Sequence, residues 1–233
     1  MRRIISWIAF LSIISVIFVA RRPASLETRT ALAAPLGRVG PQAVWTPAPQ
    51  LIAGIRAKCG ADPQHAGECF LREMGAGGAS AESIAFSKAL PDRGNAYLRG
   101  FRDTGRVDIA YVEYFLRANE TEGVFLINGD PPIIDVDDAK YLSSDQLRMN
   151  SDYATLLQKF PNISVWPSDR YHMRTPAAVS VAHGQEFDVE YLLQDGCHAC
   201  ARVGVADVAF LFDDSGRFQT TRVQRVLPQQ GQP

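Results

Sequence analysis

The chain is poor in the residues that usually carry chemistry: four cysteines and four histidines in 233 residues, with a formal net charge of −1. No basic stripe is interleaved with aromatics, so the sequence offers no nucleic-acid surface. Also absent are G-x-S-x-G, a P-loop, the Rossmann glycine pattern and H-E-x-x-H. Asp130, Asp135, Asp137 and Asp138 lack the glycine and terminal glutamate of an EF-hand loop and read as a solvated strand end. No catalytic residue, metal ligand or cofactor is assigned.

What is present is enough apolar material for a real core, 46% of the residues. At the N-terminus Met1-Arg2-Arg3 precedes an uncharged apolar run over residues 4 to 20, closed by Arg21 and Arg22. Such a segment reads as a signal peptide or a signal anchor over residues 1 to 33, with Ala31-Leu32-Ala33 as a small-x-small cleavage site. The expectation is a periplasmic or otherwise exported protein whose membrane contact, if any, is an inner-membrane anchor at residues 4 to 20. Residues 1 to 33 hold five of the 24 basic and one of the 25 acidic residues, which leaves 19 against 24, about −5. A basic partner is favoured at encounter with such a surface.

Residues 34 to 49, rich in Ala and Pro, read as a linker. Residues 50 to 138 read as a helical segment followed by a small antiparallel sheet. "LIAGIRAK" and "CFLREM" flank Cys59 and Cys69, and Ser80 caps a third helix, "AESIAFSKAL", ended by Pro91. From Arg106 the period falls to two: Val107, Ile109 and Tyr111 alternate with Asp108, Ala110 and Val112, giving a meander of two or three strands. Residues 139 to 228 repeat the order. Ser151 is expected to cap "DYATLLQKF", and three strands follow. In "EFDVEYLL", Phe187, Val189, Tyr191 and Leu193 share one face while Glu186, Asp188 and Glu190 share the other, as for a sheet with one wet side. The fold class expected is α+β, with short helices, antiparallel sheet and a packed helix.

Gly196 breaks that strand just before Cys197-His198-Ala199-Cys200. A redox Cys-x-x-Cys needs a helix N-terminus to lower the thiol pKa, and here the following residues alternate like a strand. Haem attachment needs a histidine after the second cysteine, but position 201 is alanine. Zinc is disfavoured by the ten-residue spacing of Cys59 and Cys69. An oxidising compartment favours two disulfides, sequential pairing being the most local, with cross-pairing left open. His65, His172 and His183 read as solvated or hydrogen-bonded surface imidazoles.

The order helix "YATLLQKF", strand near "VW", then Thr175-Pro176-Ala177 and the cysteine-bounded His198 loop resembles the periplasmic inhibitors of vertebrate lysozyme over residues 151 to 226. The resemblance implies a helix packed on an antiparallel sheet, and a disulfide-closed loop that presents a histidine to the lysozyme active site. Carried over by position, His198 is the presented residue and Cys197 and Cys200 are its clamp. The loop is shorter, with two residues between the cysteines where the family has four.

Three functions follow as expectations. The first is a non-enzymatic binding or inhibitor-like protein that uses Gly196, Cys197, His198 and Cys200, with a basic protein such as a lysozyme as partner. The second is a thiol-disulfide protein using Cys197 and Cys200, and the third an envelope structural protein.

Overall fold

Three short helices follow one another near the start of the described residues, each bounded by local chemistry. Helix α1 (Pro49–Cys59) begins on a proline, whose fixed φ and missing N–H suit the first helical position. Helix α2 (Ala66–Ala76) follows, and in α3 (Ala81–Ala89) the Ser80 hydroxyl accepts from Ser83 N at 3.0 Å, the expected cap. The structure is a computed structural model and describes residues 37–91, 95–117, 121–142, 144–167, 176–197 and 199–229. The apolar segment at residues 4 to 20 lies outside these. Among the described residues no helix is long and apolar enough to cross a membrane. Part of the stretch read as a linker is packed: a 3-10 turn at Pro41–Ala43 and the buried side chains of Val39, Ala43 and Trp45 seat it on the helices and first sheet.

The first sheet is a four-stranded antiparallel meander, β1 (Ala96–Arg102), β2 (Asp108–Tyr114), β3 (Glu122–Ile127) and β4 (Ile133–Asp135), in that order. Strand β1 was not expected. Its glycine and two arginines mask the alternation, and a register shift between Leu98 and Gly100 breaks its period. Strand β2 is buried on both faces. Ile109 and Tyr111 join Val124 and Leu126 beneath the second sheet, while Ala110 and Val112 join Phe125 and Ile127 under Phe86 and Leu90.

Two further helices, α4 (Ser144–Met149) and α5 (Ser151–Lys159), lead into the second sheet. The cap of α5 is Asn150, not Ser151: its side-chain oxygen accepts from Asp152 N and Tyr153 N, while Ser151 is already helical. The second sheet has the order β5 (Ile163–Pro167), β7 (Gln185–Asp195), β8 (Arg202–Phe212), β9 (Phe218–Pro228), with β6 (Ala177–Val179) pairing the same edge of β7 as β5. The fold is α+β with antiparallel sheets.

The sheets meet face to face. Phe187, Val189, Tyr191, Val208, Phe210 and Phe212 interdigitate with the Ile109 face of the first sheet in one core. Where the first sheet ends, Leu147, Tyr153 and Leu156 continue the cover over Leu193, Ala206 and Val226. Polar ties fix the stacking: Tyr191 Oη donates to Val136 O at 2.6 Å, and the Gln185 side chain accepts from Val107 N at 2.7 Å. The inner face of the second sheet is thus covered by the first sheet and by the two helices.

Candidate functional site: the cystine-closed hairpin and the outer sheet face

Strands β7 and β8 pair from Gln185 opposite Phe212 up to Gln194 opposite Arg202, a hairpin of two eleven-residue strands. At its tip Asp195 N donates to Ala201 O, Gly196 N to Gln194 O and Cys200 N to Cys197 O, each at 3.0 Å. Gly196 takes φ 93°, a left-handed conformation that a side chain would strain. The Cys197–Cys200 disulfide closes the turn with a Cα–Cα distance of 5.0 Å. Cys197 is exposed and Cys200 half-buried. His198 lies outside the described residues, as does His172. No helix begins at either sulfur: one residue after Cys200 the chain enters β8.

The structure thus brings Gly196, Cys197 and Cys200 to one tip and leaves Cys59 and Cys69 elsewhere. Cys59, 1% exposed, ends α1 and is bonded to Cys69 in α2, in a cluster with Ile55, Phe70 and Phe115. A shallow hollow of about 280 Å³ lies over this cystine, lined among others by Lys58, Asp62, His65 and Arg72. His65 Nδ1 is 2.8 Å from Asp62 Oδ2. The hydrogen bond and charge of Asp62 raise the imidazole pKa, and the same bond holds the Asp62 carboxyl below its ordinary range. His183, 3.7 Å from Asp214, is exposed. No group of three or more metal-binding side chains occurs among the described residues.

One surface was not foreseen. The outer face of the second sheet carries a cross-strand row of four apolar residues in direct register: Trp166 opposite Leu192, Leu192 opposite Val205, and Val205 opposite Leu227. None of the four belongs to a core cluster, although Val205 is only 8% exposed and Leu227 is 45% exposed. The next row away from the tip is Glu190, Asp207 and Arg225, and the one after it Asp188, Ala209 and Arg222. Arg225 bonds Asp207, Arg222 lies 3.3 Å from Glu186, and Gln224 donates to both Glu186 and Asp188 at 2.8 Å. Toward the tip, Gln194 pairs Ser164 and Arg202; its side-chain oxygen is buried without a hydrogen-bond partner. Leu192, the one apolar residue after Glu186, Asp188 and Glu190 on the wet side of the alternation, was the signal in the sequence.

No family model matches the chain, and no curated protein or solved structure matches it.

Proposed function

We propose that the protein is an exported, non-enzymatic binding protein of inhibitor type, whose recognition element is the β7–β8 tip with His198 as its presented residue. The observation that carries this reading is the cystine at the exposed end of the hairpin, bracketed by Gly196 and by the Asp195 to Ala201 backbone bond. A turn held in this way costs little further ordering on binding. Glycosidases place two carboxylates about 5 to 10 Å apart, and an imidazole fixed on such a tip can hydrogen-bond between them. The partner class that fits the charge of the exported part is a basic protein such as a lysozyme.

The test titrates the full chain, recovered from the periplasm, against a vertebrate lysozyme acting on a cell-wall suspension. Stoichiometric inhibition is expected, weakened at least about 100-fold by His198→Ala. Absence of inhibition by the unaltered protein overturns the reading. Rapid alkylation of Cys197 in mildly reducing buffer would instead favour thiol-disulfide chemistry.

A further inference from the structure

We infer that Arg202 is a specificity-determining residue of the β7–β8 tip, whose guanidinium pairs with an acidic side chain on the wall of the partner cleft that receives His198. This rests on the proposed function for the site, and adds to it the sign of the surface that the tip enters.

A basic partner with an acidic cleft makes opposite demands on body and tip. The exported part carries about −5 and draws a basic protein, yet a glycosidase cleft holds carboxylates of its own. The segment that goes in must therefore reverse the sign of the body behind it. The tip end of the second sheet comprises residues 161–164, 193–204 and 227–229. Apart from His198, its charged residues are Asp195 and Arg202.

Register sends these two charges to opposite sides. Gln194 stands directly opposite Arg202, and their neighbours Leu193 and Val203 lie in the inner core with Leu156. Gln194 and Arg202 therefore share the outer face, and Asp195, the next residue of β7, turns to the other side. The next cation along the chain at this end, Lys159, closes α5, the helix packed on the inner face. The outer side of the tip thus carries a positive charge alone.

Arg202 is exposed and, among the described residues, holds no carboxylate. The acids of β7 and β8 closest to it on its face, Glu190 and Asp207, lie beyond Leu192 and Val205, about 13 Å along β7, and Asp207 is bonded to Arg225. Nor is the guanidinium taken up by Gln194 opposite, whose side-chain oxygen is buried without a hydrogen-bond partner. Arg202 starts β8 two residues after Cys200, at most about 7 Å behind it along the strand, a span that an arginine side chain covers. Its planar fork of donors suits a carboxylate, which it binds bidentately.

The test measures association and dissociation rates of vertebrate lysozyme on the full-length protein, with thermal melting as the check on folding. Arg202→Glu and Lys88→Glu change the net charge equally; Lys88 is exposed on α3, on the far side of the first sheet. Long-range attraction by itself would make both variants associate faster with a basic partner. Pairing in the cleft predicts that Arg202→Glu dissociates at least about tenfold faster, that Arg202→Gln loses a smaller factor, that Arg202→Lys falls between Arg202→Gln and the unaltered protein, and that Lys88→Glu dissociates unchanged. The Arg202 variants should melt as the unaltered protein does, and Arg202→Gln carries the test if Arg202→Glu fails to fold. Unchanged or slower dissociation of Arg202→Glu overturns the inference. If His198→Ala releases lysozyme and Arg202→Glu does not, the histidine reading stands without this residue. If Arg202→Glu releases it and His198→Ala does not, the tip binds through Arg202 and the histidine reading falls. Absence of binding by the unaltered protein overturns both.

Discussion

Asp108 and Arg38, 70 residues apart in sequence, form an ion pair at 2.7 Å in which the carboxylate is fully buried and the guanidinium is 54% exposed. The same carboxylate accepts from Asn128 Nδ2 at 2.6 Å and from Thr104 N at 2.9 Å, and Asn128 also binds both Val39 N and Val39 O. The start of the described chain is latched to the end of the first sheet by this knot. Asp108→Ala strands several donors and is expected to cost about 3 to 5 kcal/mol. Arg38→Ala leaves the buried carboxylate its other donors and should cost about 1 kcal/mol. Urea denaturation of the two variants measures the difference, and equal losses would refute the asymmetry.

Tyr191 stitches the two sheets through its hydroxyl, which donates to Val136 O at the far side of the shared core. Tyr191→Phe keeps the ring packing and leaves a buried carbonyl short of that donor, a loss of about 1 to 2 kcal/mol. Chemical denaturation checks it; a change below about 0.3 kcal/mol would mean that water replaces the bond.

The two cystines should differ in their stabilising effect. The Cys59–Cys69 bridge closes a separation of 10 residues and Cys197–Cys200 one of 3. Loop-closure entropy gives about 3 kcal/mol for the first and under about 2 kcal/mol for the second. Paired Cys→Ser variants compared by thermal melting should preserve that order, and the Cys197→Ser/Cys200→Ser protein should stay folded.

A pH dependence follows from the exposed Asp62–His65 pair. His65 titrates above 6.5, so its contribution is complete below that value and is lost as pH rises through the folded-state pKa. Asp62 titrates below 3.8, so its contribution is complete above that value and is lost as pH falls through its lowered pKa. The pair is therefore at full strength between 3.8 and 6.5. Nuclear magnetic resonance titration of the imidazole should show a raised pKa in the unaltered protein and a lower one in Asp62→Asn. An unchanged value in the variant would remove Asp62 as the cause.

The elements with strong local signals were legible. The Ser80 cap and the alternation through Phe187, Val189, Tyr191 and Leu193 each report a local backbone preference that packing did not overrule. The Cys197 to Cys200 turn was legible for the same reason, because Gly196 ends a strand and the next strand resumes at Arg202. Asn150 displaced Ser151 as the cap because adjacent residues can both accept from the first turn, and position in the helix decides between them. Strand β1 was hidden by a register break, and the short helix α4 has too few residues to show a period.

By itself the sequence determined the helices and strands with a clear period, and where a short cystine could close a turn, because those depend on neighbours a few residues apart; β1 and α4 escaped it. Only the tertiary structure decided that β2 is covered on both sides, that Asp108 is buried beneath Arg38, and that Trp166, Leu192, Val205 and Leu227 stand in one row. Those facts depend on strand register and on which face meets another layer. Register is set by pairing between residues far apart in the chain, and a slip of one residue would turn every side chain of a strand to the opposite face.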